Sequence, residues 1–197
     1  MAPHYNLADY LYSPEAYDFD FDITSESVMQ AMLKMASHFA DFTPIRWHYL
    51  KKIRNLMISE GKLSAFDLRM NFDLKPTAYM HDDGVVYISL GLLVRGSSLA
   101  TLGIFIHELC HIKLSQSEAY DDIKALQKKF KAKFGSHKQC ELMSPIEIFA
   151  NILTIKLMGK IEETTENRLL KKRIAKLKKV KERAFLHLTK QIKELKA

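Results

Sequence analysis

Apolar residues recur at helical spacing along much of the chain and alternate at strand spacing in one region between. Val28, Met32, Met35 and Phe39 predict a helix over Ser25–Ala40, with Thr24 or Ser25 as its cap. Thr43-Pro44 pairs a capping residue with proline at the first helical position and opens a second helix. That helix carries Trp47, Leu50, Ile53, Arg54 and Met57 and should stop at Gly61. The period then changes. Phe66, Leu68, Met70 and Phe72 alternate with other residues, so 64–72 reads as a half-buried strand. Tyr79-Met80 and Val85-Val86-Tyr87-Ile88 flank His81-Asp82-Asp83-Gly84, a hairpin turning at Asp83-Gly84. Ser97 or Ser98 caps a helix of about 99–115, apolar on most sides and therefore expected to be buried. Ser117–Phe134 reads as a helix with Glu118, Asp121 and Asp122 near its start and Gly135 at its end. After Ser144-Pro145 an apolar helix runs to Met158, with Gly159 closing it. From about Thr165 one long basic helix carries the stripe Leu170, Ile174, Leu177, Ala184, Leu188, Ile192 and Leu195.

These elements make an α+β fold: a small twisted sheet from 64–89 packed on helices, a buried helix beneath it, and a long C-terminal helix. Residues 1–23, with Asp9, Glu15, Asp18, Asp20 and Asp22 among aromatics, read as an irregular arm. Residues 24–159 read as the main domain and 160–197 as a basic helix. A length of 197 residues with 47% hydrophobic content suits a folded domain with a real core. No apolar stretch is long enough to span a bilayer. Met1 to Tyr12 lacks the basic start and apolar run of a secretory signal. Cys110 and Cys140 are too few for a disulfide scaffold, so a cytoplasmic protein with reduced thiols is expected. The net charge of +7 is uneven: residues 160–197 hold 13 basic and 5 acidic residues, net +8, which leaves −1 for the rest. A basic helix of this kind attracts nucleic acid or an acidic partner, or serves as a solvated face.

The candidate chemistry lies in His107-Glu108-Leu109-Cys110-His111. Histidines four apart on a helix project from one face, one turn apart, which suits two ligands of a tetrahedral zinc. Glu108 between them sits beside the open coordination position, where it can act as base toward a water on the metal. The flanking residues, Thr101 to Ile106 and Ile112, are mostly apolar. Polar groups buried there are costly unless they bind something. The third ligand must come from elsewhere. Glu147, opening the next apolar helix, is one candidate, with Asn151 one turn on to hold a ligand in place. Ser144 and Glu147 also fit a capping box, which would satisfy Glu147 without metal. His137 with Cys140 is a rival pair for a structural site.

The motif resembles the HExxH zincins, and more narrowly the gluzincin-like ImmA/IrrE-type metallopeptidases. The resemblance rests on Val85–Ser89, on Thr101-Leu102 through the motif, and on Glu147 through Ala150-Asn151 to Leu157-Met158. It covers about residues 64–159. Cys110 stands where glycine is common, and Lys113 follows where an apolar residue is usual. The resemblance implies a zincin-like fold with His107, His111 and Glu147 as metal ligands and Glu108 as catalytic base. It further implies one Zn2+ per chain and a cleft bordered by the strand at 85–89.

The expected activity is hydrolysis of peptide bonds in a protein substrate added as a strand beside the sheet edge. The alternative is a non-catalytic zincin-scaffold binding protein, associated with nucleic acid or an acidic partner through the C-terminal helix. Lys181 interrupts the apolar stripe of that helix, which argues for packing on the body rather than a long coiled coil. Tyr79, His81, Tyr87, Tyr120 and His137 are the candidates for steadying an oxyanion.

Overall fold

The computed structural model describes residues 24–37, 43–81, 84–135 and 144–194. The expected arm, the Asp82-Asp83 pair and the His137–Cys140 rival lie outside these residues.

The fold is α+β, as the patterning predicts, with helices around a small sheet. Helix α1 (Glu26–Ser37) buries Val28, Met32 and Met35, and the Ser25 hydroxyl faces the Val28 N–H at 3.4 Å. Helix α2 (Thr43–Ser59) buries Leu50, Ile53 and Met57 against it. Gly61, at φ +67, lets the backbone turn so that Lys62 and Leu63 donate to the Met57 carbonyl. Arg46 of α2 is buried and donates to the carbonyls of Leu93 and Gly96 and to the Ser98 hydroxyl.

Strands β1 (Asp67–Asn71), β2 (Ala78–Met80) and β3 (Val85–Ser89) form a sheet in the order β1-β3-β2. β1 runs parallel to β3, and β2 runs antiparallel to it, pairing Tyr79 with Tyr87. The hairpin forms as expected, with Gly84 at φ +78. The first strand is shorter than its alternation suggested. Phe72 is 83% exposed, because the chain leaves the sheet at Asn71, whose side chain accepts from the Asp73 N–H.

A short helix, α3 (Leu90–Arg95), follows β3 directly and was not evident from the pattern. Ser89 makes it. Its hydroxyl accepts from the Leu92 N–H at 3.0 Å and from the Thr77 N–H at 2.9 Å. Helix α4 (Ser98–Ser115) is capped by Ser97 and buried on most sides. It packs against α1, α2, α3, β2 and two helices still to come, so it is the centre of the molecule.

Helix α5 (Tyr120–Phe134) starts later than expected. The Ser117 hydroxyl is used by the Leu114 carbonyl at the end of α4, so it does not cap α5. Gly135, at φ +77, closes it. Helix α6 (Pro145–Thr164) passes straight through Gly159, which corrects the expectation that glycine would end it. The apolar run continues with Ile161, also buried, and tertiary packing outweighs the helix cost of one glycine. Helix α7 (Arg168–Glu194) starts where Asn167 accepts from the Leu169 and Leu170 N–H groups. It lays Leu170 and Ile174 on the body, packed mainly on α6 and also on α4. Ala184, read from the sequence as part of that stripe, is exposed.

Two glycines distinguish close approach from mere position. A Cβ at Gly91 would lie 2.2 Å from the Leu74 carbonyl oxygen, which is backbone that cannot swing away. A Cβ at Gly159 would meet only the flexible end of Lys178, its Nζ at 3.5 Å and its Cε at 3.8 Å. Gly91→Ala should therefore lower stability by about 1–3 kcal/mol, whereas Gly159→Ala should raise it by about 0.5–1 kcal/mol. Urea unfolding of both variants checks the pair.

Candidate metal centre

Helix α4 brings His107, Glu108 and His111 to its buried side, with exposures of 9%, 5% and 7%. The imidazoles stand one turn apart, ring centroids 4.8 Å, nearly perpendicular at 86°. Their Nε2 atoms are 3.3 Å from each other. Glu147, in the first turn of α6, faces both rings, one carboxylate oxygen to each. Its Oε2 lies 3.3 Å from His107 Nε2 and its Oε1 3.2 Å from His111 Nε2. Each histidine meets a different carboxylate oxygen; with one ligand atom taken from each residue, the three lie within 4.8 Å of one another, close enough to gather round one small cation. Ligand atoms about 2.0–2.1 Å from a tetrahedral zinc lie roughly 3.3–3.4 Å apart. Two imidazole nitrogens and a carboxylate are also the donor types that zinc takes.

The capping box is not formed. Ser144 stands at the N-cap of α6, but its side chain makes no capping bond, and the Glu147 carboxylate faces the histidines instead. Asn151 does not hold a ligand's side chain either. Its amide donates to the Glu147 carbonyl at 2.8 Å, and its oxygen accepts from Lys181 at 3.4 Å. The group that touches a histidine from behind is Thr154, whose Oγ1 lies 3.2 Å from His107 Nδ1.

Lys181 is the larger surprise. The sequence shows it as an interruption of the α7 stripe. The structure places its ammonium, half-buried, within electrostatic reach of Glu108 and Glu147. A lysine on the buried stripe of a helix was the available signal, since such a charge needs a partner.

A recess of about 180 Å³ opens in front of Glu108, His111 and Glu147. It is lined by β2 (Ala78, Tyr79, Met80), by Tyr120 at the start of α5 and by Ile146. β2 is an edge strand, whereas Val85–Ser89 is the middle strand of the sheet. The strand that borders the cleft is therefore β2, not the strand at 85–89. Of the oxyanion candidates, Tyr79 and Tyr120 line the recess. Tyr87 stacks on Tyr79 at 5.3 Å, and His81 meets the edge of Tyr87.

The electrostatics of the metal-free chain follow from burial. Burial raises the Glu108 carboxyl to about 7; the nearby Glu147 charge adds to this, and a backbone hydrogen bond at Met80 works against it. Burial also lowers His107 to about 4. Burial pushes His111 down, but Glu147 and Glu108 together raise it above the ordinary histidine value. Burial pushes Glu147 up, but hydrogen bonds and charge from both histidines hold it below the ordinary carboxylate range. The site thus keeps one carboxylate ionised toward the nitrogens and one poised near neutrality beside them.

No protein-family model matches the chain, and the curated proteins and the solved structures gave no match. The class of site therefore rests on geometry. His107-Glu108-x-x-His111 with the distal Glu147 forms a cluster consistent with an HExxH-type zinc site. Among the described residues no helix is long and apolar enough to cross a membrane.

A raised carboxyl gives a signed prediction. Glu108 in the metal-free fold resists ionisation, so the unfolded chain gains relative to the fold as pH rises toward and through about 7. Glu108→Gln removes that cost. It should stabilise the metal-free chain by on the order of 3 kcal/mol at pH 8, with the advantage shrinking as pH falls below neutrality. Chemical denaturation at pH 5 and pH 8 in a chelator measures it, and an equal gap at both pH values would refute it.

Proposed function

We propose that the chain is a zinc-dependent metallopeptidase of the HExxH zincin type, gluzincin-like and akin to the ImmA/IrrE-type metallopeptidases. The observation that carries this reading is the convergence of His107 Nε2, His111 Nε2 and the Glu147 carboxylate at 3.2–3.3 Å, with Glu108 beside them in the recess. On this reading His107, His111 and Glu147 hold one Zn2+. The peptidase unit begins at about residue 24 and includes α6, which runs past residue 159 to Thr164, and the basic α7 (Arg168–Glu194) is laid against it.

The bound metal supplies a Lewis acid that polarises a carbonyl and makes a water acidic enough to react at neutral pH. The protein's own groups do the rest. The outer edge of β2 receives a substrate backbone as an added strand, which fixes the peptide bond over the recess. Glu108, ionised, takes the proton of the attacking water and passes it to the departing amine. Of the oxyanion candidates Tyr79 and Tyr120 line the recess, and on this reading a phenol there donates to the developing oxyanion.

Purified chain should carry about one zinc. His107→Ala and His111→Ala should each abolish stoichiometric binding, and Glu147→Gln should weaken it sharply, since an amide is a poor zinc ligand. Glu108→Gln should keep the metal yet lose about 10²–10⁴-fold in turnover of a cleaved protein substrate. Parental turnover in that variant refutes the mechanism, and unchanged metal content in the histidine variants refutes the site.

A second reading, a non-catalytic scaffold that binds nucleic acid, has one observation in its favour. Arg168, Lys172, Lys176, Lys179 and Arg183 are exposed at helical spacing on α7, away from buried Leu170 and Ile174. Duplex DNA retained on the protein at low salt and released steeply as salt rises would support it. Lys172→Glu with Lys176→Glu and Lys179→Glu should then abolish retention while zinc content stays. No retention by the parent chain at low salt removes this reading.

A further inference from the structure

Thr77 and His81 flank β2 and bond to β3: the Thr77 carbonyl accepts from the Ser89 N–H, and the His81 N–H donates to the Val85 carbonyl. The bonding side alternates along an antiparallel strand, so Tyr79 also bonds toward β3, while the N–H and C=O of Ala78 and Met80 point outward. Met80 marks where that outer edge leads, since its backbone hydrogen-bonds the Glu108 carboxyl. A strand added here bonds to Ala78 and Met80 and lies beside Glu108. Its residue opposite Tyr79 then forms a pair without mutual backbone bonds, the kind in which facing side chains come closest. Tyr79 is also the end of a row across the sheet. The register sets Arg69 of β1 opposite Tyr87 of β3, and Tyr87 opposite Tyr79. Arg69 hydrogen-bonds Tyr87, and the Tyr87 and Tyr79 rings stack with centroids 5.3 Å apart and planes 19° apart. β2 is the last strand of the sheet among the described residues, so the row stops at Tyr79, which is 44% exposed. Ala78 and Met80 turn the other way, pack against the core and line the recess with Ile146.

We propose that Tyr79 is a specificity-determining residue: a substrate strand on β2 sets an aromatic side chain opposite it and continues the Arg69–Tyr87–Tyr79 row. The residues on either side of that aromatic turn toward Ala78, Met80 and Ile146, so they are apolar. The inference rests on the metallopeptidase reading for its purpose and names that reading's substrate class, an extended segment with an aromatic residue between two apolar ones. Alternation along the strand gives the pattern, and pairing across strands gives the aromatic. An aromatic pair of this kind is worth about 3- to 10-fold in affinity.

The test selects random peptides displayed on phage against the full chain carrying Glu108→Gln, with zinc added, so that bound peptide is not turned over. The enriched peptides should share an aromatic residue with an apolar residue on each side. Replacing that aromatic by leucine should weaken binding of the synthetic peptide about 3- to 10-fold. Tyr79→Leu in the same chain should weaken the aromatic peptide by the same factor and make the leucine exchange neutral. Tyr79→Phe should keep the preference, which separates the ring from the phenol. The proposal is overturned by a selection that enriches nothing, by a consensus without the aromatic position, or by a Tyr79→Leu chain that keeps the preference. If Tyr79→Leu does not fold, the consensus and the leucine exchange decide. If the chain with Glu108 intact leaves the bound peptides uncleaved, the metallopeptidase reading falls and the strand site stands.

Discussion

Two imidazoles and a carboxyl group buried in an apolar helix cost several kcal/mol if left unpaired, and the packing of α6 against α4 answers that cost. Glu147 faces both Nε2 atoms, and Thr154 backs the ring of His107, so one helix serves His107 from front and rear. Among the described residues no buried side-chain nitrogen or oxygen lacks a hydrogen-bond partner. The step of seven from Glu147 to Thr154 spans about two helical turns, which is why a single straight helix can place both groups on the same side. α6 must stay regular past this point, and it does, running through Gly159 to Thr164.

The remaining elements follow from holding that pair in place. α1 and α2 cover α4 on one side, and Arg46 ties α2 to the junction from which α4 starts. In the small sheet β3 is the buried centre, and β2 offers an edge that lines the recess with Glu108. α7 covers the outside of α6, and Leu177 fills the space over Gly103 where α4 and α7 touch. Through Lys181 that outer helix also adds positive charge to a site rich in carboxylates. The basic helix is thus bound to the centre electrostatically as well as by apolar contact.

Much of this was legible in order along the chain. Helix α4, its cap at Ser97, its burial and its three polar residues follow from local pattern, because a hydrophobic period and a His-x-x-x-His spacing are properties of one helix. The hairpin and the turns at Gly61 and Gly135 are equally local, each set by a positive φ that glycine adopts at little cost. Glu147 was visible only as one of two roles. The sequence offers it to Ser144 or to a metal, and the choice depends on where α6 lies relative to α4.

Other features needed the tertiary structure because they depend on distance between segments far apart in sequence. α3 has too few residues to show a period, and it exists because Ser89 caps it while holding Thr77. Gly159 would end an isolated helix but not one packed against α7. Asn151 and Thr154 both stand near Glu147 in sequence, yet only contact shows that Thr154 meets His107 and Asn151 meets Lys181. β2 rather than β3 borders the recess because strand order is decided by pairing, which alternation does not encode. The sequence by itself determined the helices, their buried faces and the paired histidines, since these are set by spacing along one segment. Which carboxylate faces them, which hydroxyl stands behind them and which lysine lies near them were decided only when α4, α6 and α7 packed, because contacts across helices depend on register and crossing that no single segment carries.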